Sequence, residues 1–429
     1  MNQLSLIWKT KDLRKKILFV LFLLLITRFI AHVPIPGVDP AILANALQGS
    51  AFLSLLDVFS GGGLANFSIA MLGVGPYITA SIIMQLMTII VPRLTEMQKE
   101  GGEAGRAKIN QYTRWLTIPL AALQGYSTIR ILQSSQGGSA AAFFADFSQF
   151  QWFMTILAII AGTMLVMWIG ELITEYGIGN GLSLIIFAGI VAQLPQSASG
   201  ILQLNSQQDL PRLMAYVLVG LLVVAGVVLV TEAQRNIPIS YARSGRSGAA
   251  VGSVNTHLPL RLNMAGVIPI IFAISVLLFP ALIAQFFVNA KSVMVAEYAN
   301  KVITLFNSQG YFYGISYFLM VVLFTYFYTA IVFNPDEVAE NVQKNGGFIP
   351  GLRPGKQTAD YLYRVLNRIT LPGSVFLGLI ALLPFILQKA TGVTALSFGG
   401  TSLLIVVAVV IETIKQIQAQ MTMHDYESL

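Results

Sequence analysis

Cysteine is absent from this 429-residue chain, and histidine occurs only three times. Without cysteine the chain forms no disulfide and offers no thiolate nucleophile or thiolate metal ligand. His32, His257 and His424 lie in unrelated contexts, and none belongs to the H-E-x-x-H helix motif of zinc proteases. The sequence therefore indicates neither zinc proteolysis nor cysteine chemistry.

Complete nucleotide-binding motifs are also missing. "GLRPGKQT", which begins at Gly351, has three residues between its glycines where a P-loop has four, and Gln357 stands where Mg²⁺ binding requires Ser or Thr. "GIGNG", which begins at Gly177, lacks the spacing of a dinucleotide fingerprint and follows an apolar run instead of a strand. We therefore predict no cofactor, and any nucleotide energy must come from a partner protein.

Charge is scarce, whereas apolar residues are abundant. Only 10% of the residues are charged and 55% are hydrophobic, and the mean hydropathy is +0.72. A membrane-spanning helix needs about 20 mostly apolar residues. Ten such runs are centred near residues 25, 82, 123, 161, 190, 222, 275, 322, 379 and 407. The first run lacks a small-residue cleavage site, so it reads as a span and not as a signal peptide. The composition predicts an all-α polytopic membrane protein with ten transmembrane helices.

The basic residues indicate the orientation of these spans. If both termini lie on one side, that side holds 20 of the 26 Lys and Arg residues, many of them in the loops 93–114, 232–261 and 334–370. Under the positive-inside rule this side is cytoplasmic. Glu171 and Glu175 contradict the rule locally, but acidic residues contribute little to orientation. The basic residues act either as topological anchors alone or also as a docking surface for an acidic or nucleic-acid partner.

Ionisable residues inside the spans are the usual mark of an ion-coupled carrier. Almost every charge in this chain lies outside the apolar runs, and Arg28 is the exception. Arg28 lies near the outer end of its run, so we expect its side chain to snorkel to the interface. The pattern disfavours an ion-coupled carrier, although a carrier built from uncharged polar groups would escape this test.

The stretch "FSGGGLANFSIAMLGVGPYITA", residues 59–80, interrupts the apolar pattern with glycines. The nine residues from Leu64 to Leu72 extend about 13 Å as a helix, too short for a hydrocarbon core of about 30 Å. Two interpretations remain open. The piece is either a hinged re-entrant stopper inside a protein-lined cavity or a helix that lies in the outer headgroups.

Six ordered segments carry a resemblance to the SecY family, the channel subunits of the bacterial protein translocon. They are "FSGGGLANFSIAMLGVGPYITASIIMQL", "GIGNGLSLIIFAGIV", "THLPLRLNMAGVIPIIFA", "FIPGLRPGKQTADYL", "GGTSLLIVVAVVIET" and "HDYESL". The resemblance implies two inverted five-helix halves, residues 1–200 and 201–429, around an hourglass pore. It also implies a lateral gate between spans 2 and 3 and spans 7 and 8, and a short re-entrant plug helix at about residues 60–69.

The resemblance assigns the site residues one by one. The pore ring, called the six ring residues below, falls on Ile78, Ile82, Leu182, Ile186, Ile271 and Ile405. Leu182 departs from the isoleucine that is common in the family. The plug and its hinges fall on Ser60, Gly61, Gly62, Gly63, Leu64, Asn66, Gly73 and Gly75. Contacts with SecA or the ribosome fall on Arg353, Arg243 and Arg246.

The implied function is a passive channel and not an enzyme. Unfolded preproteins would cross it, and signal sequences or spanning segments would leave sideways into lipid. The implied partners are SecE, SecG, the ATPase SecA and the ribosome, and the implied location is the bacterial cytoplasmic membrane with both termini cytoplasmic. A secondary transporter for small solutes and a relative that acts mainly as a membrane insertase stay open as alternatives.

Overall fold

The computed structural model describes residues 10–35, 57, 60–99, 101–135, 148–202, 210–241, 254–288, 292–306, 310–391 and 400–427. Within these ranges lie ten helices of at least 16 residues, and each contains one of the ten predicted span centres. They are α1 (Lys11–Ile30), α2 (Gly75–Ile90), α4 (Gly102–Ser135), α5 (Gln149–Tyr176), α6 (Gly181–Leu202), α7 (Leu210–Glu232), α8 (Ile268–Phe287), α10 (Tyr311–Val332), α12 (Lys356–Thr391) and α13 (Gly400–Glu427). Three shorter helices, α3 (Pro92–Lys99), α9 (Val293–Leu305) and α11 (Pro335–Lys344), complete the described helices.

Length and composition identify several of these helices as membrane spans. Five described segments are long and apolar enough to cross a membrane, namely Gln149–Tyr176, Ile268–Phe287, Tyr311–Lys344, Lys356–Leu383 and Ser402–Thr422. The pair α2 and α3 makes a sixth, although it is bent by 100°. The bend falls at Val91, which is extended because Pro92 follows it.

Side-chain caps mark the starts of two of the helices. Ser148 and Gln151 form a reciprocal capping box at the start of α5. The side chain of Asn180 accepts hydrogen bonds from the backbone N–H groups of Leu182 and Ser183 at 3.1 and 3.2 Å, which starts α6. The glycine-rich turn at residues 177–181 is therefore a connection between two spans.

A small antiparallel sheet was not predicted from the sequence. Strand β1 (Gln234–Tyr241) pairs along its length with β2 (Val254–Arg261), and its end pairs with β3 (Gly347–Phe348). Buried Ile237, Ile239 and Leu260 pack against Leu362 of α12. The sheet joins the ends of α7, α8, α10 and α12, and we call this the sheet end of the bundle. The prediction of a mostly helical membrane protein is confirmed, but its all-α form omits this sheet.

The long helices pack as two groups. One contains α1, α2, α4, α5 and α6, and the other contains α7, α8, α10, α12 and α13. The groups meet where α8 packs on α2 and α4 and where α6 packs on α13. We call the contact of α8 with α2 and α4 the seam. The inverted relation between the two groups, and the boundary at residue 200, stay predictions.

Candidate functional site

The six ring residues come together from four helices and from both groups. Ile78 and Ile82 lie on α2, Leu182 and Ile186 on α6, Ile271 on α8 and Ile405 on α13. Five of the six, all except Ile82, belong to one apolar cluster. Ile82 belongs to a second cluster, and Ile78 packs against both. Ile82, Ile186 and Ile405 are buried, with 3%, 2% and 2% of their surface exposed. The other three are half-buried.

Helical spacing explains why each pair points the same way. Ile78 and Ile82 are four residues apart on α2, as are Leu182 and Ile186 on α6, so each pair shares a helix face. A Cβ at Gly181 would come within 2.0 Å of the carbonyl oxygen of Gly170, so glycine allows α6 to begin close against α5. This close packing fixes the starting point of the α6 pair.

The segment predicted as a plug helix is a series of turns. We call residues 60–74 the turn segment, and residues 61–74 contain no helix. Gly61, Gly62 and Gly73 have φ values of 68°, 85° and 53°, and Phe67 has 42°. Right-handed helices exclude positive φ, so the prediction of a helix at residues 60–69 is wrong in its secondary structure.

Two backbone hydrogen bonds attach the turn segment to the chain that follows α1. The N–H of Ile35 donates to the carbonyl oxygen of Phe67 at 2.9 Å, and the N–H of Ile69 donates to that of Val33 at 3.1 Å. Pro34 and Ser68 form an isolated antiparallel bridge between these bonds. The pairing partner comes from outside the segment, which is why local sequence patterns pointed to a helix.

The turn segment is buried and touches the ring. Phe67 is 0% exposed and Leu64 and Met71 are each 1% exposed. Ala70 and Val74 lie in the same apolar cluster as Ile186 and Ile405. The segment therefore packs directly against the ring cluster, and it does not lie as a helix in the outer headgroups.

The predicted hinge glycines have a packing role. A Cβ at Gly63 would come within 2.7 Å of the carbonyl oxygen of Ala70, and one at Gly61 within 2.9 Å of the Cα of Gly189. The side chain of Asn66 donates to the carbonyl oxygen of Gly62 at 3.0 Å and closes a turn. Ser60 accepts from the N–H of Leu64 at 3.1 Å. Movement about Gly73 and Gly75 stays a prediction.

Arg28 was expected to snorkel to the interface, but its side chain contacts the turn segment. Its guanidinium Nη1 donates to the carbonyl oxygen of Gly61. Buried Gln193 of α6 donates to the carboxylate of Asp57 at 3.0 Å and to its carbonyl oxygen at 3.2 Å. The only sequence signal for the contact between Arg28 and Gly61 was the isolated charge of Arg28 inside an apolar run.

Two specific contacts between α4 and α8 cross the seam. The hydroxyl of Ser127 donates to the carbonyl oxygen of Leu282 at 3.3 Å. The rings of Tyr126 on α4 and Phe286 on α8 stack with centroids 5.1 Å apart. Outside the seam, at the sheet end, exposed Lys99 on α3 lies 3.9 Å from Glu337 on α11.

A small cavity lies behind the seam. Its volume is about 50 Å³, and Leu64 of the turn segment contributes to its wall together with residues of α2, α4 and α8. Within it, Gln124 donates to the hydroxyl of Thr79 at 3.2 Å. The turn segment, the ring helices and the seam are therefore parts of one contiguous site.

Arg353 lies in the turn between β3 and α12, and its side chain is exposed. Gly351 and Gly355, with φ values of 85° and 98°, form this turn, and the hydroxyl of Thr358 donates to the carbonyl oxygen of Arg353 at 3.0 Å. The turn thus presents a guanidinium at the sheet end. Arg243 and Arg246 lie outside the described residues.

A multi-pass helical bundle with a buried turn segment and an apolar cluster between two helix groups is the architecture of a protein-conducting channel. A solved structure described as a protein conducting channel aligns with a TM-score of 0.62 and 18% identity, covering 94% of this chain and 91% of that chain. A second, whose description states that the plug domain of SecY stabilises the closed state and maintains a membrane seal, aligns with a TM-score of 0.61, 18% identity and the same coverage. These likenesses establish the fold.

Sequence comparison establishes the family. The SecY family model matches residues 68–414. The protein translocase subunit SecY of Streptomyces scabiei is 44% identical over 433 residues, covering 98% of this chain and 97% of that protein. The chain belongs to the SecY family. It is a bacterial multi-pass membrane protein, a channel subunit of a protein translocase and not an enzyme.

Proposed function

We propose that the six ring residues form the constriction through which an unfolded polypeptide passes. The observation that carries this proposal is the convergence of aliphatic side chains from four helices of both groups. Flexible aliphatic side chains can close around an extended chain of any sequence. They offer ions no replacement for the hydration shell, so a narrow apolar neck stops ions by dewetting. No covalent bond is broken, so the site needs no catalytic residue.

Cysteine crosslinking tests the constriction directly, because the chain has no native cysteine. Single cysteines at positions 78, 82, 186, 271 and 405 should crosslink to an arrested secretory chain. Cysteine at Leu221 or Leu319, which are 65% and 60% exposed on α7 and α10, is the control that should not react. Equal crosslinking at ring and control positions would refute the proposal that the six ring residues line the pore.

The turn segment is the plug of this channel in our proposal. It is supported by the burial of Leu64, Phe67 and Met71 and by the packing of Ala70 and Val74 against the ring cluster. A segment in this place blocks the neck from one side, and displacement of the segment opens a path. Deleting residues 60–69 should raise the resting ion conductance of reconstituted channels, and an unchanged conductance would count against the assignment.

The seam is the lateral gate in this proposal. Hydrophobic signal sequences and spanning segments would leave between α2 and α8 toward lipid, favoured by about 25 cal/mol for each Å² of apolar surface that they remove from water. Spanning segments carry this apolar surface, whereas secreted polar segments do not. One constriction can therefore sort both kinds of passenger.

In our proposal, partners that bind the sheet end supply the energy for transport, and small membrane subunits complete the complex. The exposed guanidinium of Arg353 and the basic loops suit the acidic surface of SecA or ribosomal RNA phosphates, and RNA contact should weaken with salt. Arg243 and Arg246 belong to the same proposed surface. The membrane subunits would be SecE and SecG, in the bacterial cytoplasmic membrane with both termini cytoplasmic. Co-purification followed by mass identification tests these partners.

Reconstitution separates the channel from a small-solute transporter. Proteoliposomes with SecE and SecA should import an unfolded preprotein only with ATP. Uptake of a small solute without SecA would favour the carrier, and failure of secreted substrates to cross fully would favour an insertase.

A further inference from the structure

A polar network holds one end of the turn segment against two helices. Arg28 of α1 donates to the carbonyl oxygen of Gly61. Gln193 of α6 donates to Asp57, and the carboxylate of Asp57 in turn accepts from the N–H of Ala65 at 2.8 Å. The positive charge of Arg28 and the negative charge of Asp57 attract each other. The network therefore links α1, α6 and the first turns of the segment.

Glycine makes this contact possible. Gly61 has a φ of 68°, and a Cβ there would lie 3.0 Å from Nη1 of Arg28 and 2.9 Å from the Cα of Gly189 on α6. Any larger side chain would push the segment away from both helices. The close approach of the turn segment, α1 and α6 is therefore part of the fold at this point.

Burial makes the network costly to break. Gln193 is 6% exposed, and Arg28 and Asp57 are half-buried. Removing one member of a buried pair of charges costs more free energy than the pair contributes to stability, because the desolvation of the remaining charge is no longer compensated. Loss of Arg28 alone should therefore leave the half-buried carboxylate of Asp57 without the cation that attracts it.

We propose that Arg28 and Gln193 are positioning residues that hold the plug in the neck through Asp57 and Gly61. The inference rests on the proposed role of the turn segment as the plug. Both anchoring helices belong to the same helix group, and the contacts at the seam involve different residues. Opening of the seam can therefore leave the plug anchored, and release of the plug requires a separate step that breaks this network.

The test uses two readouts on the full channel with its membrane partners. The first is resting ion conductance. The second is the rate at which a membrane-impermeant maleimide labels a cysteine introduced by Met71→Cys, a position that is 1% exposed. Arg28→Gln should raise both by about tenfold or more, the factor expected from the loss of one hydrogen bond to a charged group. Arg14→Gln, an exposed arginine on the same helix, is the matched control and should change neither.

Charge compensation distinguishes positioning from a general packing defect. Asp57→Asn added to Arg28→Gln removes the unpaired carboxylate, so the double variant should label and conduct less than Arg28→Gln alone. Gln193→Leu should also raise labelling, because Asp57 loses its amide donor. Additive increases in the double variant would overturn the inferred electrostatic coupling between Arg28 and Asp57.

Deletion of residues 60–69 separates this inference from the plug assignment itself. If the deletion raises conductance while Arg28→Gln and Gln193→Leu do not, the segment is a plug but this network does not position it. If the deletion leaves conductance unchanged, the plug assignment fails. Both proposals stand if all three variants conduct more than the unmodified channel.

Discussion

Replacing Phe67 with Ala should unseat the turn segment. Phe67 is 0% exposed and belongs to an apolar cluster with Leu64, Met71, Ile129 and Ile159. Truncation of a fully buried phenylalanine costs about 3–5 kcal/mol. Each 1.4 kcal/mol is about tenfold in an equilibrium, so the ratio of seated to displaced segment should fall about a hundredfold or more.

The backbone at Phe67 supplies a second, graded variant. Its φ is 42°, a left-handed conformation that costs a residue with a Cβ about 1–2 kcal/mol. Alanine keeps this cost, whereas glycine removes it. Phe67→Gly should therefore leak less than Phe67→Ala although it removes more atoms. This order is the reverse of the order expected from side-chain volume alone.

Single-channel recording or iodide flux into proteoliposomes measures the resting leak of these variants. Phe29→Ala on α1, where the side chain is 70% exposed, is the control and should behave as the unmodified channel. A tight Phe67→Ala channel would refute the claim that burial of this ring holds the segment in the neck. A leak in Phe67→Gly greater than in Phe67→Ala would refute the backbone argument.

Three further changes test other parts of the site. Replacement of the six ring residues with Ser should raise ion conductance, because hydroxyl groups hydrate the neck, and a tight channel would contradict the seal. Arg353→Glu should block SecA-driven export while the protein still purifies folded. Lys356→Glu, three residues further along the chain, is the control and should export better than Arg353→Glu. Normal export by the Arg353 variant would reject its role. A short bifunctional crosslinker between cysteines at Tyr126 and Phe286 should stop lateral insertion of hydrophobic segments, whereas the same link between Tyr126 and Trp152, within one helix group, should not.

Composition was enough to place the ten long helices, because apolar runs of about 20 residues have few alternatives to a spanning helix. The predicted centres at 82 and 190 fall in α2 and α6, although α2 has only 16 residues and α6 contains Pro195. Gathering of the six ring residues was predicted only through the family resemblance. Apolar pairs four residues apart occur on every lipid-facing helix, so the pattern alone did not select them.

The elements that were missed depend on contacts distant in sequence. The turns at residues 61–74 follow from pairing with Val33 and Ile35, which no local periodicity encodes. In β1, buried Ile237 and Ile239 alternate with exposed neighbours on either side of Pro238, within a segment that was predicted to be a basic loop. Alternation of this kind is the sequence signal of a half-buried strand.

For Arg28, the local sequence pattern predicted snorkelling, whereas its side chain contacts the turn segment. A charge near the end of an apolar run predicts snorkelling when only the sequence of that run is considered. The partner in this structure, the carbonyl oxygen of Gly61, lies 33 residues away in the sequence. This contact agrees with the general expectation that an ionisable residue inside a span pairs with another group of the protein.

The strength of the seam would decide how the proposed lateral gate opens. Its described directional contacts include one hydrogen bond at 3.3 Å and one ring stack, which contribute about 1 kcal/mol each. The rest is apolar packing of α8 on α2, including Ile82. Lipid tails are as apolar as these side chains, so inside a membrane such packing has little hydrophobic drive. An apolar passenger helix can therefore replace α2 against α8 at small cost, whereas a polar chain cannot. If the seam is the lateral gate that we propose, it would admit apolar passengers to lipid and keep polar chains in the pore.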